Sequence, residues 1–125
     1  MEKIKAIFRK NPLIKLAYLF GSQASGTAGP MSDFDFAVFL DTRNRDKMFS
    51  IKLELISALT QALETDKVDI VVLNAVEQPE LKFNIINEGR LIYQVEPFRV
   101  AVEPKILNEY FDFHFTLKRY NLTNG

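Results

Sequence analysis

Cysteine is absent from the 125 residues, so neither a disulfide nor a thiolate metal site can be built. Charge of one sign is also missing: 16 basic residues balance 16 acidic ones, and the pI is near 6.6. A general nucleic-acid binder needs an excess of positive charge. A template-using polymerase, or an enzyme that grips a transfer RNA, would need more chain and more basic surface. No apolar run approaches the ~20 residues that span a membrane. The start, Met1-Glu2-Lys3-Ile4-Lys5, is charged and lacks the apolar core of a signal peptide. A cytoplasmic location is therefore expected. Repeats and low-complexity tracts are lacking. Histidine occurs once, at His114, which reads as a helix residue on a mixed surface because no other part of the sequence calls on it. Tryptophan is missing while phenylalanine occurs 11 times, several near the end. At this length the chain has room for one core and is expected to form a single domain over 1–125.

The most informative stretch is Leu19-Phe20-Gly21-Ser22, followed ten residues later by Asp33-Phe34-Asp35. An apolar run enters a Gly-Ser turn, a small-residue segment follows, and two acids open the next apolar run. Strand side chains alternate faces, so Asp33 and Asp35 point the same way and Phe34, Phe36 and Val38 the other. Two carboxylates on one face repel and lose hydration, and a divalent cation is the usual compensation. Gly21 lets the backbone approach an anion closely. Ser22 adds a hydroxyl at the opening of a short helix whose N–H groups favour negative charge. Further on, Lys67–Leu73 reads as a strand with Asp69 in it. An unpaired carboxylate in such a place is costly.

The remaining chain predicts a helix over 2–10 ended by Asn11-Pro12, a strand over 16–20, a small helix over 21–28 with a Gly29-Pro30 turn, and a strand over 33–40. A long helix over 44–64 presents Met48, Ile51, Leu55, Leu59 and Leu63 as one stripe. A helix over 77–87 precedes Gly89, which fits a C′ position, and a strand over 90–95 follows. Residues 97–102 fit a linker or an extended segment. Pro104 suits the first turn of a last helix over 104–120. The fold expected is α/β: a small mixed sheet of four or five strands with helices packed on it. Lys118-Arg119 suit a helix C-terminus.

Gly21, Ser22, Asp33 and Asp35, with their spacing and flanking strands, resemble the signature of the DNA polymerase β-like nucleotidyltransferase superfamily. The wording Ser-Asp-Phe-Asp-Phe-Ala-Val and the short length look most like the minimal nucleotidyltransferases, MNT-type antitoxins that pair with HEPN toxins. The resemblance covers roughly residues 12–95. It implies a polymerase β-like core in which Gly21 and Ser22 hold the phosphates of ATP. It also implies that Asp33, Asp35 and Asp69 hold Mg²⁺, two ions about 3.5–4 Å apart, with Asp69 able to accept the proton of the attacking hydroxyl. AMP would pass to a tyrosine of a HEPN ribonuclease toxin and silence it. Family members often carry Arg where this chain has Ser25, and Lys15, Arg43 and Arg45 are candidate substitutes.

The last helix adds a partner expectation. One stripe runs through Ile106, Tyr110, Phe113, Leu117 and Tyr120, and a second through Leu107, Phe111 and Phe115. A helix apolar on two sides cannot bury everything against one small domain. Phe111 and Phe115 are thus expected to dock on the toxin. Two other readings stay open. One is an antitoxin that acts by binding alone. The other is an adenylyltransferase for a small molecule such as an aminoglycoside, although such enzymes usually carry an added helical domain.

Overall fold

The computed structural model describes residues 2–26 and 33–120, with the side chains of Ser22 and Ser25 outside that description. The element order is α1 (Glu2–Arg9), β1 (Ile14–Phe20), α2 (Ser22–Ser25), β2 (Phe34–Leu40), α3 (Arg45–Leu63), β3 (Val68–Val72), a 3₁₀ turn (Leu73–Ala75), α4 (Pro79–Glu88), β4 (Arg90–Gln94) and α5 (Phe98–Arg119). The four strands form one mixed sheet in the order β3-β2-β1-β4. β1 runs antiparallel to β2 and β4, while β2 and β3 are parallel. The expected α/β architecture is present, and the expected Gly29-Pro30 turn lies outside the described residues.

Each face of the sheet carries a helical layer. Phe36, Val38 and Leu40 of β2, with Ile70 and Val72 of β3, pack against Phe8 of α1 and the Met48-Ile51-Leu55-Leu59 stripe of α3. The other face carries Leu16, Tyr18 and Ala37, which meet Ile85 of α4 and Val102 and Ile106 of α5. β1 is covered on both faces, which is why its sequence is a continuous apolar run rather than an alternating one. Each large side chain buried this way contributes about 1.5–3 kcal/mol.

Helix boundaries follow local chemistry. Asn44 caps α3, its side chain accepting from Lys47 N–H at 3.1 Å. At the other end Glu64 turns left-handed at φ 54° and donates its N–H to Thr60. Two details depart from expectation. α5 begins at Phe98, so residues 97–102 are mostly helical and Pro104 lies inside the helix. Its missing N–H costs a helical bond, but burial of Val102 and Ile106 on either side of it holds the helix to the sheet. Gly89 ends α4 with φ −75°, not in a left-handed turn. Glycine is needed there for space, since a Cβ would meet the Ile85 carbonyl at 2.3 Å and that of Leu19 at 3.2 Å.

Side-chain bonds fix the layers. Asn74 donates to the Leu40 and Thr42 carbonyls at 2.6 and 3.1 Å and clamps the end of β2 to the 3₁₀ turn. Tyr18, 1% exposed, donates its hydroxyl to Glu103 of α5, which also accepts from Arg99. Burial, then the Glu103 bond and charge, push the Tyr18 phenol far above its ordinary value of 10.0. On α4, Lys82 pairs with Glu109 of α5.

Candidate functional site

Topology brings the singled-out residues to one end of the sheet. β1 ends there at Phe20, and Gly21 follows; antiparallel β2 begins there, with Asp35 opposite Phe20. Parallel β3 begins at the same end, with Asp69 in direct register with Asp35. The two acids are thus cross-strand neighbours on the face that bears α4 and α5, because Phe34 and Phe36 turn to the other face. Asp33 lies just before β2 and is exposed.

Gly21 adopts φ 75°, a left-handed conformation that side chains rarely accept. A Cβ on it would stand 2.6 Å from Asp35 Oδ2. The carboxylate therefore rests on the bare backbone of the turn from which α2 departs. Ser22 opens α2, and its hydroxyl lies outside the described residues. The Asp35 carboxyl is held above the usual carboxylate range by partial burial first, then by the charges of Asp69 and Asp33. All three acids therefore share one electrostatic neighbourhood.

They do not form a closed cage. Among the described residues no three acidic, histidine or cysteine side chains are gathered around a single point. Asp69 Oδ1 instead accepts the N–H of Ile70, on its own strand, at 3.0 Å. The donor set nonetheless suits a hard divalent cation: oxygen atoms alone, from three acidic side chains that feel one another's charge. Asp33, Asp35 and Asp69 are the side chains that would hold such a cation.

Of the basic residues that could stand in for the arginine replaced by Ser25, Lys15 and Arg43 lie away from the acids. Lys15 is the second residue of β1, at the opposite end, its ammonium 5.3 Å from the Phe98 ring. Arg43 follows the far end of β2 and lines a cavity with Asp41 and Lys105. Arg45 shares with Asp69 a groove of about 340 Å³, lined also by Phe49 and Lys52 of α3 and by Leu81 of α4. This groove went unpredicted, because nothing in a linear sequence says which strand lies at the edge of a sheet.

On α5, only Val102 and Ile106 are buried. Tyr110 stacks on Phe83 of α4 with centroids 3.9 Å apart. His114 packs on Tyr110, and its Nε2 lies 3.3 Å from Glu80 without hydrogen-bond alignment. Phe111 and Phe115 are 59% and 65% exposed, and Tyr120 is 65% exposed.

A mixed sheet that brings acids from two parallel strands beside a glycine turn is an arrangement that could hold a divalent cation and an anionic ligand together. Residues 2–97 match the family described as "Polymerase beta, Nucleotidyltransferase", and the chain belongs to it. The chain is similar to the protein adenylyltransferase MntA of Aphanizomenon flos-aquae, 29% identical over 94 residues. That match takes in 70% of this chain and 62% of the relative's length. A chain of a toxin–antitoxin crystal structure with AMP-PNP superposes with a TM-score of 0.77 at 27% identity, over 95% of this chain and 93% of that one. A chain from the complex of tri-AMPylated Shewanella oneidensis HEPN toxin with its MNT antitoxin is similar in fold, with a TM-score of 0.70 at 24% identity. It covers 95% of this chain and 90% of that one. Among the described residues no helix is long and apolar enough to cross a membrane.

Proposed function

We propose that this chain is an antitoxin that adenylylates a HEPN-type toxin, moving AMP from ATP to a tyrosine hydroxyl. The observation that carries this reading is the meeting of Asp35, its register partner Asp69 and the bare Gly21 backbone at one end of the sheet. The names of the relatives support the choice of AMP and of a toxin as acceptor. The Gly21-Ser22 turn binds the phosphates through backbone N–H groups. Asp69 takes the proton from the acceptor hydroxyl as that oxygen bonds to the α-phosphorus. The bond from the α-phosphorus to its bridging oxygen breaks, and pyrophosphate leaves. Bound Mg²⁺, two ions in this reading, supplies positive charge against the developing charge on the phosphate oxygens. The exposed Phe111 and Phe115 of α5 supply the apolar part of the toxin contact. The reaction takes place in the cytoplasm, where ATP is plentiful.

The test is transfer itself. The purified chain, Mg²⁺, ATP labelled on its α-phosphate and the HEPN toxin should give labelled toxin. Asp69→Asn should abolish the label while the far-ultraviolet circular dichroism stays unchanged. An unlabelled toxin that is still neutralised, even by an Asp33→Ala/Asp35→Ala variant, would make the chain an antitoxin by contact alone. Resistance to an aminoglycoside conferred by this chain alone would move the acceptor to a small molecule.

A further inference from the structure

One side of α3 is left uncovered. Successive helix residues turn by about 100°, so Arg45, Phe49, Lys52 and Leu53 fall in one band beside the buried stripe of Met48, Ile51, Leu55 and Leu59. Phe49 and Leu53, one turn apart, are 55% and 53% exposed. Arg45, Phe49 and Lys52 line the groove that holds Asp69, while Ile70 and Val72 beneath them are core. The groove therefore offers side chains of α3, not peptide groups of β3. β2 and β3 are parallel and α3 joins them, so α3 runs back against both. Arg45 thus lies at the Val72 end of the groove and Lys52 at the Asp69 end. The two cations stand about 10 Å apart along the helix axis.

We propose that the acceptor protein lays an amphipathic helix along this band, with two carboxylates seven positions apart on Arg45 and Lys52 and an apolar residue between them on Phe49. The proposal rests on the transferase reading above and names how the acceptor is held at that site. Charge sets the sign of the occupant. Neither Arg45 nor Lys52 is paired with an acid among the described residues, and Asp69 is the one acid among those lining the groove. Spacing sets its form. In an extended chain about 10 Å is three residues, and residues three apart point to opposite faces, so one carboxylate would turn away. On a helix seven residues span about 10 Å and return to the same face, and a residue three or four positions along shares that face. Arg45, Phe49 and Lys52 follow that same spacing, which is the pattern of helix-in-groove recognition. Leu53 extends the apolar contact. Because Lys52 marks the Asp69 end, the acceptor tyrosine lies close to the carboxylate that meets Lys52.

The test is titration of the whole HEPN toxin into variants of the full chain. Arg45→Glu/Lys52→Glu and, separately, Phe49→Ser should each weaken toxin binding about tenfold or more by calorimetry. Lys47→Glu makes the same charge change at an exposed position on the far side of α3 and should leave binding unchanged. In steady-state transfer, Phe49→Ser/Lys52→Glu should raise the KM for toxin about tenfold and leave the KM for ATP unchanged. Toxin binding unmoved by the first two variants overturns docking on α3. An equal loss with Lys47→Glu also overturns it, since net charge and not this band then draws the toxin. A raised KM for ATP with the KM for toxin unmoved overturns it by giving the groove to the nucleotide. So does a chain that sediments as a dimer which Phe49→Ser splits, because a second copy then covers the band. If wild type labels no toxin, the transferase reading fails by itself, and the titration still decides whether the toxin docks on α3.

Discussion

Asp35 is the residue under most tension. Burial, then Asp69, then Asp33 raise its carboxyl above the ordinary value of 3.8. The folded chain therefore binds this proton more tightly than the unfolded chain does. Stability therefore falls as pH rises from 3.8 through the raised folded value. Asp35→Asn should make the protein more stable at about pH 7, by up to about 1 kcal/mol, with the gain shrinking toward about pH 4. Urea unfolding at both pH values checks this, and a variant no more stable than wild type at neutral pH contradicts it. Gly21→Ala acts in the other direction. It places a Cβ at φ 75° and against Asp35 Oδ2, so a loss of about 1–3 kcal/mol is expected in the same assay. The acids and the glycine were legible in the sequence because alternation along a strand and the freedom of glycine are local properties. The contact of Asp69 with Ile70 N–H was not, because it depends on which peptide groups β2 already uses.

At the scale of elements, α5 is the one whose two halves differ. Its first half is held by Val102, Ile106 and the Tyr18–Glu103 bond, and its second half leans on α4 through Tyr110 and Glu109. Phe111 and Phe115 stay largely in solvent. Phe111→Ser/Phe115→Ser should therefore change thermal stability by no more than about 0.5–1 kcal/mol yet weaken toxin binding about tenfold or more. Calorimetry and titration on the same samples separate the two effects, and unfolding of the variant would make both stripes core. The two apolar stripes of this helix could be read from periodicity, but its start could not. Pro104 suits a helix start, and only the packing of Val102 against the sheet shows that the helix begins a turn and a half earlier. The long α3 was plain in the sequence because its stripe repeats over about four turns.

For the whole molecule, the sheet order decides what is rigid. β2 is paired on both sides and holds Asp35, and β3 is paired on one side and holds Asp69. The site thus spans an interior strand and an edge. A ligand that joins the acids should tie the edge down. Mg²⁺ with a non-hydrolysable ATP analogue should raise the melting temperature of wild type, by the equivalent of about 2.7 kcal/mol at a hundred times the Kd. An Asp33→Asn/Asp35→Asn variant should show no such rise, and an equal rise in both would place the ligand elsewhere. Element types and their order were readable from the sequence. The neighbour relations β3-β2-β1-β4 were not, since strand pairing joins residues far apart in the chain.

The overhanging end of α5 also has a practical use. Beyond His114 the helix presents Phe115 and Tyr120 to solvent, and the chain contains no thiol. A single Lys118→Cys change would therefore accept one maleimide dye at one known place, clear of the sheet. Its fluorescence would report arrival of the toxin in real time, uncoupled from whether any chemistry follows.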